Sequence, residues 1–82
     1  MEKIQISDQK LVLLTENDEE IGFVKFTIDD KTLHLKSTVV HEAFQGKGYA
    51  KRLMQEIEKL ITEKHYALVA ECSYAVKYFG KV

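Results

Sequence analysis

Proline is missing from this chain altogether, and there is no Ser/Gly-rich linker, internal repeat or low-complexity tract. With 82 residues to divide, that leaves one small domain, residues 1–82, and no boundary for a second. The single cysteine, Cys72, excludes an internal disulfide, so no covalent staple props up the core. A chain of this size buries only about 60–65% of its unfolded surface, and its stability is expected to be modest. Charge of one sign is also lacking. Twelve basic against 13 acidic side chains give −1, without the positive excess that non-specific nucleic-acid binding requires. No apolar run approaches the roughly 18–20 residues of a membrane span. Met1-Glu2-Lys3-Ile4 lacks the basic end and apolar stretch of a signal peptide. What is present, 45% hydrophobic and 30% charged residues, is ordinary globular usage with enough apolar surface to offset chain entropy. The expectation is a compact, reduced, cytoplasmic domain that engages neither nucleic acid nor membrane.

The chain divides by hydrophobic period. Leu11-Val12-Leu13-Leu14 is a short apolar run closed by the polar stretch Thr15 to Glu20, which holds the turn-prone pair Asn17-Asp18. Val24, Phe26 and Ile28 recur at period two, the mark of a half-buried strand. After the turn at Asp29-Asp30-Lys31, Leu33, Leu35, Ser37 and Val39 alternate with His34, Lys36, Thr38 and Val40, which predicts a third strand ending near His41. These runs predict an antiparallel meander of three strands, or four if Ile4 to Ile6 is also extended. Beyond Gly48 the period changes. Ala50, Leu53, Met54, Ile57, Leu60 and Ile61 form one helical stripe, predicting a long amphipathic helix from about Gly48 to Lys64. Ala67-Leu68-Val69-Ala70 then suits a central strand parallel to the one before the helix. Ser73 to Phe79 has room for a short C-terminal helix before Gly80. The fold class is α+β.

The segment Gln45-Gly46-Lys47-Gly48-Tyr49-Ala50 lies between strand end and long helix. Glycines there let the backbone approach a ligand closely, and the free amides of the helix start point outward. With the positive end of the helix dipole they form an anion site suited to phosphate, and Lys47, Lys51 and Arg52 add full charge around it. The alternative is a plain connection whose glycines serve only the turn. A Walker loop is excluded because Gly46-Lys47 is followed by Gly48 and no earlier glycine lies nearby. A Rossmann fingerprint is excluded because Lys51 stands where its third glycine belongs.

Gln45-x-x-Gly48-x-Ala50 resembles the acetyl-CoA signature of the GNAT N-acetyltransferase superfamily, Gln/Arg-x-x-Gly-x-Gly/Ala, and sits at the same strand-to-helix junction. The resemblance extends over Thr32 to Val82 in its strand–loop–helix–strand–helix order. It implies a minimal GNAT-like domain with acetyl-CoA (coenzyme A) as cofactor. The loop Gln45, Gly46, Lys47, Gly48, Tyr49, Ala50 and Lys51 would hold the pyrophosphate. Thr38, Val39 and Val40 would line the pantetheine arm where the strands before and after the helix splay apart. Full-size members have two helices between the first strands and further strands at the end, which this chain lacks. It is more similar to very short GNAT-like proteins with a cysteine after the last core strand. Those often carry His-Thr-x-Val and Pro-x-Cys, where this chain has Ser37-Thr38-Val39-Val40 and Ala70-Glu71-Cys72.

Cys72 falls where a strand gives way to a helix, a position that favours the thiolate. A thiolate facing a thioester could accept the acyl group by exchange and pass it to an amine. Direct attack by the amine is the commoner route in the family resembled, and the plain alternative is a small packed hydrophobe. Tyr78, four residues after Tyr74 on one helical face, matches the family tyrosine that protonates the departing coenzyme thiolate; core packing is its alternative. A protonated amine needs a base or a water chain, and His41, Glu42 and Glu71 lie at strand ends where one could act. His34, His41 and His65 have no metal-ligand spacing, so no metal is expected. The expected function is N-acetyl transfer from acetyl-CoA to an amine, with Cys72 and Tyr78 as catalytic residues. A non-catalytic acyl-CoA-binding module or sensor is the alternative, and a plain interaction domain a third. Neither the acceptor nor an oligomeric state is written in these residues.

Overall fold

The computed structural model describes residues 2–80; the expected 1–82 domain therefore extends three residues outside them. Five strands form one sheet in the order of the chain: β1 (Lys3–Ile6), β2 (Lys10–Leu14), β3 (Glu20–Asp29), β4 (Thr32–Val40) and β5 (Ala67–Ala70). The first four make an antiparallel meander, so the weakly patterned Ile4 to Ile6 is a true strand, paired in register with Leu11 to Leu13. A 3-10 turn (Glu42–Phe44) and the loop lead into α1 (Tyr49–Lys64), which returns the chain to β5, parallel to β4. The short α2 (Ser73–Phe79) closes the described chain.

One face of the sheet carries the core. Leu11, Leu13, Ile21, Val24, Phe26, Leu33 and Leu35 meet Leu53, Met54 and Ile57 of α1 and Ala75 of α2. Each of the large side chains among them contributes about 1.5–3 kcal/mol by burial. Leu60 and Ile61 continue the helical stripe as half-buried residues. α1 ends at His65, whose left-handed backbone (φ 58°) lets the Tyr66 amide donate back to the Ile61 carbonyl at 2.9 Å. Among the described residues no helix is long and apolar enough to cross a membrane.

Two expectations are corrected. β5 is parallel to β4 as expected, but it is an edge strand of the described sheet rather than a central one. Its nearly all-apolar sequence reflects α2 packing beside it. The alternation read along β4 also fails midway. Phe26 pairs with Leu35 and Lys25 with Ser37, leaving Lys36 as an extra residue, a β-bulge. Beyond it the parity reverses. Thr38 opposes the buried Val24 and Val40 opposes Gly22, so these two face the helices, while Ser37 and Val39 join Lys25 and Phe23 on the open face.

Candidate functional site

The ladder between β4 and β5 runs from Thr32↔Ala67 to Leu35↔Ala70 and closes with the Glu71 amide donating to the Leu35 carbonyl at 2.9 Å. β4 continues for Lys36–Val40 with no partner on that side, while the chain after Glu71 turns away into α2. The seam therefore opens into a splay whose vertex lies at Leu35 and Ala70. Along its β4 wall the backbone groups directed at the missing strand are open to an extended, amide-bearing ligand, except the Val40 carbonyl, which Gln45 occupies, and the Thr38 backbone, which meets Cys72. Thr38, Val39 and Val40 all lie on this wall, and the bulge sends Val39 to the opposite face from the other two. Gly22 shapes it from behind, because a Cβ there would collide with the Val39 carbonyl oxygen.

Above the wall stands the start of α1. Gly46 (φ 78°) and Gly48 (φ 84°) are both left-handed, and a Cβ at either would meet no atom within 4 Å. The backbone is thus open to close approach. Gly48 is the N-cap and offers no side chain, and the first intrahelical bond runs from the Arg52 amide to the Gly48 carbonyl at 3.2 Å. The amides of Tyr49, Ala50 and Lys51 are consequently free at the positive end of a 16-residue helix, with no acidic residue in its first turn. Lys47 and Lys51 are exposed beside them. Arg52 departs from expectation, since Nε donates to Glu56 at 3.0 Å and Nη1 to Glu2 at 3.3 Å. Gln45 turns inward as a brace, its Nε2 donating to the Val40 carbonyl at 3.0 Å, and the Phe44 and Tyr49 rings pack edge-on at 6.1 Å across the loop. The loop is held by its own side chains, and its backbone is what faces outward.

Cys72 caps α2 on the far wall, its Sγ 3.6 Å from Thr38 Oγ1, so the two walls meet there on the helix side. Partial burial pushes the thiol up. The amides of Ala75 and Tyr74, together with Thr38, outweigh that, and Cys72 ionises below the ordinary cysteine value. The two expected catalytic residues are not joined by any hydrogen bond among the described residues. Tyr78 Oη donates to Glu58 Oε1 on α1 at 3.1 Å, and its ring packs edge-on against Phe79 at 4.9 Å. Burial, with Glu58 beside it, raises the phenol above its usual value.

On the open face, at the vertex, lies a cluster that pattern reading did not assemble. Both Glu71 oxygens accept from Lys36 Nζ at 3.0 Å, and His34 Nδ1 is 3.2 Å from Oε2. The hydrogen bonds from Lys36 hold the Glu71 carboxyl below its usual value, against the opposing effect of burial. Of its members only Glu71 stood out in the sequence, as a candidate base at a strand end; His34 and Lys36 are the ordinary polar positions of the β4 alternation. A second pair, His41 Nε2 and Glu20 Oε2 at 2.5 Å, sits at the far end of β4 beside Phe23.

An anion-ready helix start over a splayed parallel seam is an arrangement suited to an extended ligand with an anionic end. The comparisons are more specific. The profile of the GCN5-related N-acetyl-transferase family matches residues 10–82, and the chain belongs to that family. Among solved structures it is similar to a ribosomal-protein-alanine N-acetyltransferase from Brucella melitensis biovar Abortus 2308, at 23% identity and TM-score 0.66, over 77% of this chain and 50% of that one. It is also similar to a GNAT family N-acetyltransferase from Escherichia coli solved with CoA, at 26% identity and TM-score 0.66, over 74% and 38%. A Bacillus anthracis str. Ames structure holding acetyl coenzyme A aligns with 94% of this chain and 48% of its own, at 17% identity and TM-score 0.66. The chain thus spans half or less of the length of these structures. A search of curated proteins returns no match.

Proposed function

We propose that this chain binds acetyl-CoA across the splay and the loop, and transfers its acetyl group to an amine. The observation that carries the reading is the ladder that stops at Leu35 and Ala70 while β4 runs on to Val40 beneath a helix start with two left-handed glycines. The free amides of Tyr49, Ala50 and Lys51 would bind the pyrophosphate, with Lys47 and Lys51 neutralising it. Gln45 would keep the loop in shape through its hydrogen bond to Val40 and would border the phosphates. Thr38, Val39 and Val40 would line the pantetheine arm. When bound, the coenzyme supplies an activated acyl carbon in a thioester. Cys72, with its thiolate favoured, lies against the helix side of the same wall, so its sulfur is placed to contact that carbon's surroundings.

The non-catalytic binding module is a second reading, favoured by Tyr78. Its hydroxyl is committed to Glu58, and its raised pKa makes it a poorer proton donor. Both readings share one test. Acetyl-CoA should raise the melting temperature of the wild-type chain, and Gly48→Glu should abolish the rise by placing a carboxylate among the helix-start amides. Free thiol released from acetyl-CoA only when an amine is added separates enzyme from module. No shift in melting temperature with saturating acetyl-CoA would end both.

A further inference from the structure

We propose that His34, oriented by Glu71, is the group that removes the proton from the acceptor amine. This assignment rests on the acetyltransferase reading given above. The helix side of the vertex is filled: Leu35 and Ala75 are fully buried there, and Cys72 and Ala70 pack against the same core. The open face of the sheet is covered by neither helix, so an acceptor reaches the vertex across it. The first polar groups it meets are His34, Lys36 and Glu71, whose side chains are 29%, 46% and 41% exposed.

The chemistry of the cluster is directional. A carboxylate accepts and cannot donate. Lys36 lies against both Glu71 oxygens and keeps that carboxylate ionised, so the hydrogen between Glu71 and His34 belongs to Nδ1 of the ring. The neutral imidazole then carries its lone pair on Nε2. His34 pairs with Val69, one step from the vertex pair Leu35↔Ala70, and shares the open face with Glu71. An ammonium arriving there loses one proton to Nε2 and presents its lone pair to the acyl carbon. As the N–C bond forms the C–S bond breaks, the departing thiolate takes the second nitrogen proton, and His34 returns its own to solvent. Glu71 is a positioning residue, acting only through the ring. The hydrogen bond its backbone N–H donates to the Leu35 carbonyl ties it to the vertex itself.

Two measurements test this. Long-range nitrogen–proton NMR of the imidazole should find His34 protonated at Nδ1 and bare at Nε2, with that preference lost in Glu71→Gln; an Nε2-protonated tautomer in the wild type overturns the assignment. Thiol release from acetyl-CoA, with spermidine, glycinamide and a lysine-containing peptide as acceptors, supplies the kinetics. His34→Gln should lower kcat roughly 100-fold with the KM for acetyl-CoA unchanged, the lower range for a positioned base. Glu71→Gln should fall in the same direction by less. Hydroxylamine is already largely unprotonated near neutral pH, so with it His34→Gln should keep the wild-type rate. An equal loss with hydroxylamine marks a structural role and overturns the proposal, as does full activity with the other amines. If the wild type is stabilised by acetyl-CoA yet releases no thiol with any amine, the transfer reading fails and this assignment falls with it. Transfer to spermidine, glycinamide and the peptide at the wild-type rate in His34→Gln removes this assignment alone.

Discussion

The two halves of β4 differ in almost every physical respect. From Thr32 to Leu35 the strand is paired on both sides, by β3 and β5, and places Leu33 and Leu35 fully buried beneath α1. From Lys36 to Val40 it is paired only by β3, begins with a bulge and carries half-exposed side chains. The first half has the composition of a core strand. The second is rich in β-branched residues but holds a free edge, which isolated sheets usually blunt with charge or a covering element. Here the bulge and the turn of the chain into α2 set the edge apart from β5. Stability is concentrated in one half and ligand chemistry in the other.

If that division is right, substitutions in the two halves should separate stability from binding. The largest effect is expected from Leu33→Ala. It empties a fully buried position in the doubly paired half and should cost about 2–5 kcal/mol in urea unfolding. At temperatures where the variant remains folded, the shift produced by acetyl-CoA should persist. Gly22→Ala acts on the other half. The added methyl has to displace the Val39 carbonyl, a backbone atom that cannot swing away, at about 1–3 kcal/mol. Unlike Leu33→Ala, it should also weaken the acetyl-CoA shift, because the wall it displaces is the one proposed to meet the pantetheine arm. A Gly22→Ala protein with an undiminished shift would mean that the coenzyme does not use this part of β4.

The same division separates what was legible in the residues from what was not. The helix over Tyr49–Lys64 announced itself by the stripe from Ala50 to Ile61, because one face of it is buried against a single sheet. The glycine loop was legible because left-handed backbone and an uncapped helix start leave residue types behind. Cys72 at a helix start was legible from the change of pattern between the apolar run Ala67 to Ala70 and the helix that follows. The faces of Thr38 and Val39 were not. A bulge is a property of pairing between two strands, and its cost and benefit are decided by Lys25 and Phe26 across the ladder rather than by β4 alone. Of the two partners of Arg52, Glu56 lies at the readable i+4 spacing, but Glu2 lies 50 residues away and could not be read. Gln45 matched a signature position, yet its side chain braces Val40, so motif membership located the loop without giving that residue's contact. The His34–Lys36–Glu71 cluster joins groups separated by 35 and 37 residues, and only the closing of the parallel seam brings them together.

The smallest effect expected is electrostatic and lies at the one place where the two walls touch. As a thiol, Cys72 donates to Thr38 Oγ1; once ionised it becomes an acceptor, and the Thr38 hydroxyl can rotate to donate to it. Burial opposes ionisation, but the Ala75 and Tyr74 amides and Thr38 outweigh it, so the folded pKa lies below the unfolded one. The sign follows from the protons bound. Between the folded pKa and the unfolded value of about 8.5, the unfolded chain binds more protons and stability rises with pH. That contribution is complete above the unfolded value and is lost as pH falls through the folded one. Alkylation of Cys72 by iodoacetamide should therefore show a lower midpoint in the native chain than in urea. Thr38→Val keeps the shape of the wall and removes the hydroxyl, so it should raise the native midpoint while leaving the amide contribution in place. A native midpoint at or above the unfolded one would show that burial, not the helix-start amides, governs this sulfur, and would leave Cys72 as a packed side chain at the edge of the core.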